Sequence, residues 1–169
     1  MHLKNKQNFI FSLLLIFFSS QLFAASPVIM LEKAANNVLT SLTTNKQKVK
    51  NNRGYVNSLV DRYIIPQVDV SGMSRSVLGR DTWRKASEQQ RNNFSHTFTR
   101  LVVRTYSRAL RDYSGEKVTF LPIRGGYQGK RFVKISSFIV RTNGQKIPIT
   151  YSLINKKGHW KVYDLSVEG

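Results

Sequence analysis

The chain has 169 residues, of which 27 are Lys or Arg and only nine are Asp or Glu, giving a net charge of +18, and it contains no cysteine. The missing cysteine excludes disulfides, thiolate metal sites and a thiol nucleophile, while the positive excess predicts a polyanionic partner. A chain of this size buries roughly 68–70% of its unfolded surface in one core, enough for a single domain without covalent staples.

The first segment reads as a leader. Lys4 and Lys6 precede the apolar run Phe9–Phe18, and Leu22-Phe23-Ala24-Ala25 supplies a small-residue cleavage site. This is the pattern of a secretory signal peptide over residues 1–24, cut after Ala24. The run is shorter than the roughly 20 residues a membrane-spanning helix needs. A soluble, exported protein is therefore expected, with residues 25–169 as one domain. The leader holds two lysines and no carboxylate, so the exported part keeps nearly all the charge excess. Export shifts the expected polyanion from nucleic acid to lipid headgroups, lipopolysaccharide phosphates or an acidic protein.

Ser26-Pro27 predicts an N-cap and first helical residue, and Val28, Leu31, Ala35, Val38, Leu39 and Leu42 recur with helical spacing over 27–44. The basic stretch Thr43–Asn52 lacks an apolar period. Val56, Leu59, Val60, Tyr63 and Ile64 restart it until Pro66. Asp69 predicts the cap of a short helix that Gly79 closes in a left-handed conformation. Ser87-Glu88-Gln89-Gln90 is a capping box opening the longest helix, 88–113. Alternating β-formers then predict strands at Lys117–Ile123, Arg131–Arg141, Lys146–Ile154 and His159–Val167. Asn143-Gly144 signals a type I′ hairpin and Lys156-Lys157-Gly158 a looser one. Pro148 should sit at a bulge or a local edge of its strand. Helices followed by strands predict an α+β fold, with the N-terminal helices packed on a twisted antiparallel sheet of about four strands and enclosing an apolar pocket.

Catalytic sets are scarce. His96 and His159 lack a second ligand at metal spacing, so no metal is expected. Gly125-Gly126-Tyr127-Gln128-Gly129 precedes a strand and reads as a hairpin loop, not a phosphate cradle. Phe94, Phe98, Leu101, Val102, Tyr106, Ala109, Leu110 and Tyr113 fall on about half of the long helix, which is expected to face the sheet. Val102, Tyr106 and Leu110, with Ile135, Ile139, Ile149, Tyr151 and Val162 from alternate strand positions, are the candidate lining of an apolar cavity. Arg100, Arg104, Arg108 and Arg111 form a ridge on the other side, a candidate surface for headgroup or partner docking, where Asp112 can relieve only Arg108. Trp83, Gly79 and Trp160 read as structural.

Several segments together carry a resemblance: Ile65-Pro66-Gln67-Val68-Asp69, Val77-Leu78-Gly79-Arg80-Asp81-Thr82-Trp83, Ser87 to Phe94, Ile149-Thr150-Tyr151-Ser152-Leu153, and Trp160-Lys161-Val162-Tyr163-Asp164. In this order and spacing the chain resembles the MlaC, or toluene-tolerance, family of periplasmic phospholipid-binding proteins over nearly all of residues 27–169. The resemblance implies a non-enzymatic carrier with bound phospholipid as cargo and no cofactor. It would shuttle glycerophospholipid between an outer-membrane lipoprotein complex and an inner-membrane ABC transporter complex with a substrate-binding ring, maintaining outer-membrane lipid asymmetry. A monomer is expected. The family usually continues past the position of Gly169 through a further aromatic and apolar segment. Two other readings stand beside it: a periplasmic adaptor without cargo, and an enzyme on a cone-shaped, nuclear-transport-factor-like sheet with Asp164 as buried base.

Overall fold

The computed structural model describes residues 26–167, with the side chain of Arg53 not described. The expected leader and its cleavage site lie outside the described residues.

The first helix, α1, spans Pro27–Thr44. Ser26 holds the N-cap position and its carbonyl accepts the first helical bond from Met30 N–H at 3.0 Å, but its side chain makes no capping bond. The stretch without apolar period nevertheless forms a short helix, α2, at Lys46–Asn51. Its Lys and Gln residues are good helix formers, and Val49 alone anchors it to the interior. Asn52 caps α3, Arg53–Leu59, by accepting from Gly54 N–H at 2.9 Å. The chain then widens into a π-helical turn at Val60–Ile64 and tightens into a 3-10 turn at Ile65–Gln67. Asp69 caps α4, Val70–Leu78, as expected.

Gly79 follows with φ 78° and ψ 155°. Its φ is positive, but the backbone is extended and not left-handed helical, because it must redirect the chain into a short helix not anticipated from sequence, α5 at Arg80–Lys85. Ser87 and Gln90 make the reciprocal capping box, and α6 runs Glu88–Arg111. Trp83 at this junction is clamped: Arg91 stacks on its ring at 5.6 Å and donates from Nε to its carbonyl at 2.8 Å.

Four strands form an antiparallel meander in the order β1-β2-β3-β4: β1 Lys117–Phe120, β2 Phe132–Val140, β3 Lys146–Lys156 and β4 His159–Val167. The two tight turns exchange their expected types. At Asn143-Gly144 only the glycine has positive φ, and Arg141 C=O accepts from Gly144 N–H, so this is a turn closed by a glycine bulge. Lys157 and Gly158 are both positive, at 54° and 87°, which is the I′ pattern. Asn155 Oδ1 holds that turn by accepting from Gly158 N–H at 2.8 Å. Pro148 pairs with Phe138 on β2, while the described β3–β4 pairing ends at Ile149↔Val167. Its missing N–H faces β4, where the residue next in register lies outside the described residues.

Two apolar clusters hold the layers together. Leu31 of α1 packs with Val133, Ile135, Leu153, Trp160 and Val162 of the sheet, joined by Met73 of α4. Val38 and Leu42 of α1 pack with Val56 and Leu59 of α3, joined by Leu110 and Tyr113 at the end of α6. One helix thus belongs to both cores, its first half facing strands and its second half facing helices. Asp69 ties the layers at a third point. Its N–H donates to Val162 C=O at 2.8 Å, its carboxylate accepts from Gly72 N–H at 3.1 Å, and Lys156 Nζ lies 2.6 Å from Oδ2. A Cβ on Gly72 would collide with this carboxylate, so the cap needs a glycine there.

Candidate functional site

The helix-facing side of the sheet collects five of the eight candidate lining residues. Cross-strand register puts Ile135 opposite Tyr151, Ile139 opposite Ile147, Ile149 opposite Ser137 and Val162 opposite Leu153, and paired residues share a face. Ile135, Ile139, Ile149, Tyr151 and Val162 therefore form one apolar surface, extended by Val118 and Phe120 of β1.

This surface has a closed half and an open half. Toward Trp160, Ile135 and Leu153 are 1% and 0% exposed. Toward the other end, Ile139 and Ile147 are half-buried, and Leu165 and Val167 are 38% and 44% exposed. Leu165 and Val167 join the face through a bulge. Leu153 pairs with Val162 but Ser152 pairs with Asp164, so Tyr163 is the extra residue and the inward positions change from even to odd numbers. The sequence carries this signal in the spacing of Trp160, Val162, Leu165 and Val167, two, three and two residues apart.

The three helical candidates do not join the sheet residues. Helix α6 packs against α3, α4 and the π-helical turn, not flat on the strands. Its buried positions are Val103 and Ser107. Val102 is half-buried, Tyr106 is 49% exposed, and Leu110 packs in the helical core. The expectation that the wide aromatic face meets the sheet is therefore corrected: α6 turns a narrower stripe inward, because α3 and α4 already occupy the space beside it.

Tyr151 is the polar handle of the apolar face. Ser137 Oγ donates to its hydroxyl at 3.2 Å. Burial pushes the Tyr151 hydroxyl above the usual tyrosine value, and the Ser137 bond opposes that rise in part. Asp164 pairs with Ser152 on the opposite face and is exposed. The enzyme reading thus loses its only proposed buried base.

Basic side chains surround two open clefts. One, of about 510 Å³, lies beside the β1–β2 loop and carries Arg124, Lys130 and Lys134 with Leu121 and Phe132. The glycines of that loop, Gly125, Gly126 and Gly129, have positive φ and turn the chain between antiparallel strands. The other, of about 620 Å³, lies between the ends of α1, α2 and α6 and contains Leu110 and Arg111. Arg100, Arg104 and Arg108 are exposed along α6. The sole ion pair among the described residues is Lys156–Asp69, so Asp112 does not engage Arg108.

The sequence profile of the MlaC protein family matches residues 32–169. The chain belongs to the MlaC family. It is 29% identical over 143 residues to the intermembrane phospholipid transport system binding protein MlaC of Haemophilus influenzae, covering 83% of this chain and 66% of that protein. It is 30% identical over 146 residues to the toluene tolerance protein Ttg2D of Pseudomonas putida, covering 86% and 67% respectively. The chain thus spans about two thirds of the length of these family members. A phospholipid-binding protein from Ralstonia solanacearum, solved in complex with a phospholipid, shares the fold with a TM-score of 0.77 and 26% identity, over 86% of this chain and 79% of that one.

Proposed function

We propose that this chain is a non-enzymatic periplasmic phospholipid carrier, with acyl tails held on the apolar sheet face. The carrying observation is the open half of that face, where Ile139, Ile147, Leu165 and Val167 stay partly wet, in a chain whose fold is similar to that of a protein solved with a bound phospholipid. Val102 and Tyr106 are proposed to meet the tails from α6 when cargo enters, while Leu110 serves the helical core. Two tails bring about 30 methylenes, and at about 0.8 kcal/mol each their exposure costs on the order of 20 kcal/mol. Unassisted crossing of an aqueous compartment is negligible on that scale, and an apolar lining removes most of the cost.

In this reading the leader exports the chain, and the partners are an outer-membrane lipoprotein complex and an inner-membrane ABC transporter complex, with lipid asymmetry as the outcome. Release requires a partner that outcompetes or opens the lipid-holding state, since a ligand shifts an equilibrium only by its differential affinity. The test is solvent extraction of the protein purified from cells, followed by mass spectrometry, with uptake from liposomes in parallel. Phospholipid in the extract is expected. An Ile139→Glu/Leu165→Glu variant should keep its circular dichroism spectrum but load below about one tenth as much, because a carboxylate cannot be desolvated against acyl chains. Folded protein that yields no phospholipid and takes up none overturns the carrier and leaves the cargo-free adaptor.

A further inference from the structure

We propose that the face made by α2 and the C-terminal part of α6 docks on an anionic lipid bilayer, separately from the cargo face. Its centre is the cleft of about 620 Å³ at the ends of α1, α2 and α6. Leu42, Val49 and Tyr113 contribute apolar lining, while Lys46, Lys50 and Arg111 supply cationic groups. Asp112 is the one carboxylate in the lining, and among the described residues none of the three cations has a carboxylate within 4.0 Å.

The charge does not stop at the cleft. Lys46 and Lys50 are one turn apart on α2, and Arg108, Arg104 and Arg100 continue from Arg111 along one stripe of α6. Like charges at this spacing repel by about 0.2–0.5 kcal/mol per pair, so the band is unfavourable in the isolated protein and is relieved by a dense negative surface. The negative end of the α6 dipole supports only Arg108 and Arg111 in the last turn.

A bilayer fits this arrangement better than an acidic protein. The cations form an extended band on two elements, and the open cleft between them sets half-buried Val49 and Tyr113 beside the basic groups, the combination that suits a layer of phosphates over glycerol backbones. Each Lys or Arg beside an anionic membrane contributes on the order of fivefold in affinity, and the attraction decays within a Debye length of about 10 Å.

The experiment is co-sedimentation of the full exported chain with phosphatidylcholine vesicles, with and without phosphatidylglycerol, across a salt series. Binding is expected only with phosphatidylglycerol and should weaken steeply with salt. The variant Lys46→Glu/Lys50→Glu/Arg111→Glu should lose roughly 100-fold in affinity, while Arg124→Glu/Lys134→Glu/Lys157→Glu, with the same change in net charge, should lose far less. Circular dichroism and phospholipid loading are read on both variants, and a folded, loaded but non-docking first variant separates this face from the cargo site. Equal losses in the two variants would show bulk charge alone and overturn the proposal. So would indifference to phosphatidylglycerol, and retention on immobilised polyglutamate without vesicle binding would assign the face to an acidic protein instead. Absence of cargo with intact docking would sink the carrier reading and leave this one standing.

Discussion

Gly79 carries the chain between α4 and α5 at φ 78° and ψ 155°, a combination essentially restricted to glycine. An added Cβ would meet no atom within 4 Å, so Gly79→Ala isolates backbone strain from packing. Its expected cost is about 1–3 kcal/mol in denaturant unfolding, and a change below a few tenths would contradict the assignment. Tyr151 gives a second test. Its folded pKa lies above the unfolded value near 10 because burial disfavours the phenolate. Between the two values the folded state keeps a proton that the unfolded state has lost, so this contribution is intact below pH 10 and disappears as pH rises through the folded pKa. Tyr151→Phe should flatten the alkaline decline in thermal stability, at a neutral-pH cost of about 1 kcal/mol for the Ser137 bond.

Elements with a strong local cause were readable. The capping box at Ser87 and the Asp69 cap are side-chain events within one turn, and both appear where the sequence places them. Helix α2 was not readable, since its one inward residue, Val49, makes no period. The turn types differ from expectation because an Asn-Gly pair favours positive φ at both residues, yet Asn143 keeps negative φ, whereas Lys157 takes it where Asn155 supplies the closing hydrogen bond. Sheet candidates share one face because a period of two is unambiguous, but the α6 candidates miss it because α3 and α4 lie against that helix and leave only the narrow stripe of Val103 and Ser107 buried. The β4 bulge is testable at this scale. Deleting Tyr163 gives a regular strand that still turns Trp160, Val162, Leu165 and Val167 to the same side. The variant should fold, losing about 1 kcal/mol with the edge-to-face contact of Phe132 and Tyr163 at 5.9 Å. A collapsed near-ultraviolet circular dichroism signal would mean the extra residue is required for closure.

For the molecule as a whole, the two cores share α1, so the helical and sheet layers are expected to unfold together in a single transition. The basic surface opposes self-association, and the two outer strands of the meander are poor sites for it. Sedimentation equilibrium should give the monomer mass at all accessible concentrations at physiological salt, and a concentration-dependent dimer would point to an unrecognised contact. The outer strands are blunted differently. Strand β1 has only four residues, whereas β4 carries His159, Lys161 and Asp164, bends at its bulge, and is bridged by the segment leading into α4, where Val68 lies beside Val162 and Asp69 bonds to it. A growing cross-β stack needs a long, straight ribbon with free amides to copy. The Val68–Val162 stitch interrupts that template at its middle, so the native β4 edge is expected to be a poor seed for amyloid growth.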